Sequence, residues 1–227
     1  MNIIPKLDGQ SLLDAKITAN NNVQLKNEFG ISRQGLMLIL SSPSGAGKTT
    51  LAKLLLKSDP MLSLSVSVTT RRKREGEIEG KDYFFISEAE YAEMQKNNML
   101  LENAKVFGHY YGSPKNQAFD ILNKGQDVLY DVNWEGAASL MKNARNQTVS
   151  IFILPPSIKI LEQRIRDRAK DNEADIKRRL QEAEFEISKH YLYDYVMINN
   201  TIEESLTQIK SILLAERSKV SRTEITM

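Results

Sequence analysis

The stretch Gly35-Leu36-Met37-Leu38-Ile39-Leu40-Ser41 is a short, nearly continuous apolar run that stops abruptly at Ser42-Pro43-Ser44-Gly45-Ala46-Gly47-Lys48-Thr49-Thr50. An apolar run without polar alternation reads as a strand buried on both faces, so covering layers are needed on each side of it. From Thr49 to Lys57 apolar side chains recur at helical spacing, which puts the glycines in a strand-to-helix turn. Similar runs recur at Asp127 to Val132, Val149 to Leu154 and Tyr195 to Ile198, with helical patterns at Ile158 to Arg168 and Asp175 to His190. Strands alternating with helices predict a parallel α/β sheet.

The turn carries its own chemistry. A phosphate-binding loop asks for Gly, four residues, then Gly-Lys-[Ser/Thr]; Ser42 stands at the first Gly position and the rest fits. Gly45 and Gly47 let successive backbone N–H groups turn inward around an anion, the helix start at Lys48 adds its dipole, and the Lys48 ammonium reaches the terminal phosphates. Ser42 to Thr50 is therefore the expected ATP-binding loop, with the Thr49 hydroxyl a ligand for Mg²⁺. Asp131, after Val128-Leu129-Tyr130, is placed like the strand-end Asp that holds a magnesium water; its plainer reading is a strand terminator. A GTPase reading is disfavoured, because Asn123-Lys124-Gly125-Gln126 lacks the Asp of a guanine-reading Asn-Lys-x-Asp.

Composition narrows the partners. The 227 residues contain no Cys and two His, which excludes disulfide scaffolds, thiolate zinc sites and His clusters and suits a reducing, cytoplasmic setting. With 31 Lys+Arg against 29 Asp+Glu the net charge is +2, far from that of a nucleic-acid binder. No apolar run approaches the ~20 residues of a membrane span, and Met1 to Gln10 lack a signal-peptide layout. Residues 1–34, with the run Ala19-Asn20-Asn21-Asn22, read as a weakly structured extension with a hint of helix at Ser11 to Ile17.

From about Val68 to Lys124 the alternating rhythm breaks, as an inserted lobe would make it. Tyr83-Phe84-Phe85-Ile86 leads into Ser87-Glu88-Ala89-Glu90, a capping box, followed by two short strand-like pieces at Met99 to Glu102 and Ala104 to Phe107. The lobe opens with Thr69-Thr70-Arg71-Arg72-Lys73-Arg74-Glu75-Gly76-Glu77-Ile78-Glu79-Gly80-Lys81-Asp82-Tyr83-Phe84-Phe85. Four consecutive cations are commonly a solvated run, but opposite a phosphate loop they offer a second phosphate site.

That string satisfies every fixed position of Thr-[Ser/Thr]-Arg-x-x-[Lys/Arg]-x-x-[Asp/Glu]-x-x-[Gly/Ala]-x-x-Tyr-x-[Phe/Tyr], and here the chain resembles the guanylate kinases from about Gly35 to Arg217. The resemblance implies a three-layer parallel-sheet P-loop kinase core (35–67 and 125–227), an inserted mixed α/β GMP-binding lobe (68–124) and a helical lid (about 164–179). It implies transfer of the γ-phosphoryl group of Mg-ATP to GMP, and to dGMP, in purine nucleotide metabolism, by a monomer or homodimer that uses neither nucleic acid nor membrane. It places Ser67, Arg71, Arg74, Tyr83 and Tyr111 around the GMP phosphate, Glu102 and Ser113 on guanine, and Asn199 near the adenine of ATP. Lys48, Arg71, Arg164, Arg168 and Arg179 become the cations of phosphoryl transfer. Taken singly, Tyr83 and Tyr111 read equally as packing aromatics, Ser113 as a turn residue before Pro114, and the later arginines as an exposed helix face. Asn133, Asn200 and Ala169 depart from the family's usual Asp, Asp and Gly. A second class stays open beside the enzyme: a guanylate-kinase-like binding module without turnover, for which a triphosphate site would have no use.

Overall fold

The computed structural model describes residues 30–106, 108–168 and 173–226. Residues 1–29 of the expected extension with its Ser11 to Ile17 helix, Phe107, and the Ala169 to Asn172 lid loop with the Arg168 side chain lie outside the described residues, whereas Gly30–Arg33, read from sequence as part of that weakly structured extension, form a strand. Two units separate: Ser32–Glu224, which holds both larger sheets and every site residue described below, and a terminal one whose described residues are 30–31 and 225–226.

In chain order the elements are β1 (Gly30–Arg33), β2 (Met37–Ser41), α1 (Lys48–Ser58), β3 (Leu62–Leu64), β4 (Val68–Thr69), β5 (Phe84–Phe85), α2 (Glu88–Lys96), β6 (Leu100–Val106), β7 (His109–Pro114) and α3 (Lys115–Asn123). They continue with β8 (Asp127–Asp131), α4 (Trp134–Ala144), β9 (Thr148–Leu154), α5 (Ile158–Arg168), α6 (Glu173–Ile187), β10 (Tyr195–Ile198), α7 (Ile202–Arg217) and β11 (Thr223–Thr226). A five-stranded, all-parallel sheet has the order β10-β9-β2-β8-β3, while β5-β4-β7-β6 form a separate mixed sheet. The expected α/β parallel-sheet fold is what the chain adopts.

β2 explains the layering. Its alternate residues face opposite ways: Leu38 and Leu40 pack with Leu51 and Leu55 of α1 and Ile209 and Leu213 of α7, and Met37 and Ile39 pack with Ala118 and Leu122 of α3 and Leu140 of α4. All are fully buried or nearly so, and each leucine, isoleucine and methionine among them contributes about 1.5–3 kcal/mol of transfer free energy. From β2 the chain crosses to β3 and β8 on one side and later to β9 and β10 on the other. The loop after β2 thus sits at the carboxyl end of the sheet where strand order reverses, the crevice in which open α/β sheets bind ligands.

Two features differ from the sequence reading. Met99 to Glu102 and Ala104 to Phe107 are not two pieces: one strand, β6, runs through both, its pairing with β7 shifting register between Leu100 and Asn103. And α3, which the 68–124 lobe boundary included, covers the core sheet with Ala118 and Leu122, so the mixed sheet ends at Pro114. The Ser87 capping box is present, with Glu90 N–H donating to Ser87 Oγ at 3.2 Å and Ser87 N–H to Glu90 Oε2 at 2.7 Å.

At the amino end of the strands Asp127, with no exposed surface, accepts from Arg33 Nη1 at 2.6 Å, Leu36 N–H at 2.9 Å and Arg217 Nε at 2.7 Å. Arg217 also pairs with Asp59 at 2.8 Å. A buried carboxylate is tolerated when it is matched in this way, and the match joins the segment before β2 to the end of α7.

Candidate active site

Between β2 and α1 the loop turns twice through left-handed backbone, at Gly45 (φ 94°) and Gly47 (φ 99°), a region that L side chains avoid. Gly47 has a second constraint: a Cβ there would stand 2.5 Å from Asn199 Nδ2. Asn199, 2% exposed, donates Nδ2 to the Ala46 carbonyl at 2.7 Å and accepts from Ser205 Oγ at 2.9 Å. Asn199, which the resemblance puts near the adenine, braces the loop's backbone in the structure. Arg164, from α5, donates to the Gly45 carbonyl at 3.3 Å, so the loop is held from two elements.

The loop encloses a cavity of about 260 Å³ lined by Ser42, Pro43, Ser44, Gly45, Gly47, Lys48, Thr49 and Thr50 with Asn133 and Glu186. The Lys48 ammonium is ion-paired with Asp131. Burial lowers its pKa, and the Glu186 carboxylate opposes that shift. Asn133 accepts from Gly136 N–H at 3.0 Å as the N-cap of α4, a task that Asn performs as well as the Asp usual in the family.

A second cavity of about 260 Å³ opens on the other side of Thr49, lined by Tyr83 and Ser113 from the mixed-sheet lobe, by Ser67 just before it, and by Thr49, Lys53, Tyr130 and Asp131 from the core. Glu102, 7% exposed, stands behind Ser113 and accepts its hydroxyl at 2.7 Å. Burial pushes the Glu102 carboxyl above its ordinary pKa, partly offset by Ser113. The Arg71 guanidinium stacks 5.4 Å from the Tyr83 ring centroid, and Tyr111 meets Tyr83 edge-on at 5.8 Å. Arg71 is held from behind by Glu77 in a two-pronged bond of 3.1 and 2.7 Å, which lowers the Glu77 pKa to about 2. The structure thus has Arg71, Tyr83, Glu102, Tyr111 and Ser113 on one lobe, with Ser67 at its entry; Arg74 is exposed, its backbone N–H donating to Glu77 at 2.7 Å.

Among the later cations, Arg179 lies on α6, half-buried, with the Arg168 side chain outside the described residues. Two carboxylates beside these residues went unnoticed in the sequence. Glu77 occupies the acidic position of the signature, which was signal enough to expect a partner for Arg71. Glu186 had none, since its place at the loop follows only from how α6 packs.

Among the described residues, no cluster of three or more His, Cys, Asp and Glu is arranged to hold a metal, and no helix is long and apolar enough to cross a membrane.

Comparison with known proteins agrees with this geometry. The family profile described as "Guanylate kinase" matches residues 34–216. A guanylate kinase of Rickettsia felis is 53% identical over 189 residues, 83% of this chain and 98% of that protein. One from Paramagnetospirillum magneticum is 45% identical over 192 residues, 85% of this chain and 90% of the other. The crystal structure of guanylate kinase from Anaplasma phagocytophilum shares 41% identity and superposes with a TM-score of 0.66, covering 86% of this chain and 92% of that one. With the signature string folded into a lobe beside a phosphate loop, and a family match spanning most of its length, the chain belongs to the guanylate kinase family.

Proposed function

We propose that the two cavities are the donor and acceptor sites of an ATP:GMP phosphotransferase, the loop cavity taking the triphosphate of ATP and the lobe cavity taking GMP. The observation that carries this reading is that the two cavities share Thr49 as a wall. A γ-phosphate against the loop and an acceptor phosphate beside Arg71 would then approach each other across a single residue.

Guanine offers N1–H and N2–H₂ as adjacent donors, which the Glu102 carboxylate accepts, and O6 as an acceptor for the Ser113 hydroxyl. Adenine inverts that pattern and would leave the buried Glu102 without donors, a mismatch such sites reject by about 10⁴-fold or more. The GMP phosphate, dianionic at neutral pH, needs no general base. Catalysis then rests on holding two polyanions in line, with Lys48, Arg71 and the arginines of α5 and α6 offsetting their repulsion. No contact in this reading depends on the ribose 2′-hydroxyl, so dGMP serves as well. The binding-module alternative is not favoured, because loop, Lys48 and Thr49 are all in place.

Mg²⁺ fits the donors present. Thr49 and Asp131 supply oxygen ligands in one cavity, and a small hard cation is typically held by one or two protein oxygens, waters and substrate phosphates. When bound it would neutralise phosphate charge; Thr49 would hold it directly and Asp131 through water. We further assign 35–67 and 115–227 to the core, 68–114 to the acceptor lobe and about 164–179 to the lid, in a cytoplasmic protein of purine nucleotide metabolism that is monomeric or homodimeric.

ADP formation from Mg-ATP with GMP, dGMP, AMP, CMP and UMP tests the reading. Turnover is expected with the two guanine nucleotides and is expected to disappear in Lys48→Ala. Absence of GMP-dependent turnover in the unaltered protein refutes it.

A further inference from the structure

The phosphate loop leaves the carboxyl end of the parallel sheet; the amino end carries a larger cavity, of about 490 Å³. Thr148 and Tyr195, the first residues of β9 and β10, lie in its wall beside Arg145 and Asp194, and α7 and the segment after it add Glu216, Lys219 and Arg222.

The charges of this cavity are matched with one exception. Arg145 holds Asp194 through both terminal nitrogens, Nη1 at 3.1 Å, and Lys219 Nζ pairs with Glu216 Oε1 at 2.7 Å, the oxygen that also accepts the Tyr195 hydroxyl. Nearby, Arg33 and Arg217 are taken up by Asp127. Arg222 is left over. It is 8% exposed, yet Glu216 Oε2, its ion-pair partner, stands 3.9 Å from Nη2, beyond hydrogen-bond reach, and its sealed Nε has no hydrogen-bond partner among the described residues. Burial pulls its pKa down and Arg33 adds to the pull, while Glu216, Asp127 and Asp194 oppose it. A guanidinium stays protonated inside a protein, so Arg222 is a buried cation that the chain matches only loosely.

A buried charge of this kind is costly until an anion reaches it, and a guanidinium can grip an oxyanion in two-pronged fashion. Asn146 and Ser221, in the same walls, bring an amide and a hydroxyl as further donors. Donors on several sides suit a tetrahedral phosphate, whereas a carboxylate pairs edge to edge with the guanidinium alone. We propose that this cavity is an anion site distinct from the nucleotide cavities, in which the Arg222 guanidinium holds the phosphate group of a small phosphorylated molecule. Filling it gives the buried cation its missing partner, so the ligand stabilises the fold.

The test is calorimetric titration of inorganic phosphate, at an ionic strength held constant with chloride, into the full chain carrying Lys48→Ala and Arg71→Gln, which removes a main cation from each nucleotide cavity. The same background is titrated with Arg222→Met or with Ser221→Ala added. Saturable binding is expected, weakened about tenfold or more by Arg222→Met, the equivalent of one charge-assisted hydrogen bond, and by a smaller factor in Ser221→Ala. Melting supplies a second reading. Without phosphate, Arg222→Met is expected to melt no lower than its background, because an ill-matched buried charge has gone; phosphate is expected to raise the melting point of the background and leave that of Arg222→Met unmoved. Absence of saturable binding while Arg222 is intact overturns the proposal. So does equal phosphate affinity in the Arg222→Met and Ser221→Ala proteins and their background, which would put the ion elsewhere. A phosphate-free melting point lowered by Arg222→Met also overturns it, since Arg222 would then be a structural cation already satisfied by Glu216.

Discussion

Replacing Glu102 by Gln keeps the side chain's length and one accepting oxygen while removing its charge, and the structure separates what this does to folding from what it does to GMP. In the ligand-free site Glu102 is 7% exposed and accepts the Ser113 hydroxyl at 2.7 Å. The Gln amide oxygen can keep that bond. Because burial raises the Glu102 pKa, the folded protein binds this proton more tightly than the unfolded chain does. The ionised carboxylate therefore destabilises the fold at neutral pH, and the penalty fades as the pH falls through its raised pKa. Gln carries no such penalty, so the ligand-free variant is expected to melt at or above the unaltered protein at pH 7, with the gap closing in acid. GMP use moves the other way. Gln can accept from one guanine donor but sets its own NH₂ against the other. With each charge-assisted bond contributing about 1.5–3 kcal/mol, the change costs about 3–5 kcal/mol, or roughly 10²- to 5 × 10³-fold in kcat/KM for GMP. A coupled ADP assay with GMP varied at saturating Mg-ATP reads this, the KM for ATP staying constant. A kcat/KM for GMP within tenfold of the unaltered value, or a matching rise in the KM for ATP, refutes the guanine assignment. A melting point several degrees lower refutes the burial argument.

Gly47→Ala places a Cβ in left-handed backbone and 2.5 Å from Asn199 Nδ2, so it must push Asn199 off the Ala46 carbonyl. The strain and the lost bond together are expected to cost about 2–5 kcal/mol, read from denaturant midpoints; a loss below about 1 kcal/mol contradicts the bracing role. Glu77, held at about 2 by Arg71, adds stability above its ordinary pKa of 4.5 that is lost as the pH falls from 4.5 toward 2. Glu77→Gln is expected to flatten that acid limb in a circular-dichroism titration and, by releasing Arg71, to raise the KM for GMP more than it lowers kcat. An unchanged acid limb disproves the pairing in solution.

What the sequence made legible was local or doubly constrained. The Gly35 to Ser41 run could be satisfied only by cover on both faces, and the following Gly-x-Gly-Lys fixed the turn. The Ser87 to Glu90 box is closed by residues three apart, so no tertiary information was needed to see it. β6 was read as two pieces because Asn103 interrupts its apolar pattern, and the register shift that absorbs the interruption depends on the partner strand. Which sheet α3 would cover could not be read locally, because the packing of Ala118 and Leu122 on the core sheet is set by tertiary contacts. Asn199 and Glu186 show the same limit at the site. The family resemblance put one beside a nucleotide and the sequence left the other unnoticed, while packing joins the first to the Ala46 carbonyl and sets the second in the cavity wall.

The clamp on Asp127 bears on where this domain can be cut. The family match runs from residue 34 to residue 216, and the two guanidiniums that satisfy the buried carboxylate belong to Arg33 and Arg217, one residue outside it at each end. A fragment trimmed to the matched span keeps the carboxylate and discards both of its cations. Stranding a buried charge costs about 3–5 kcal/mol, a large share of the stability of an ordinary domain. The span that the family profile covers is therefore a poor guide to where to cut: a fragment that keeps both flanking arginines is expected to be the more stable one.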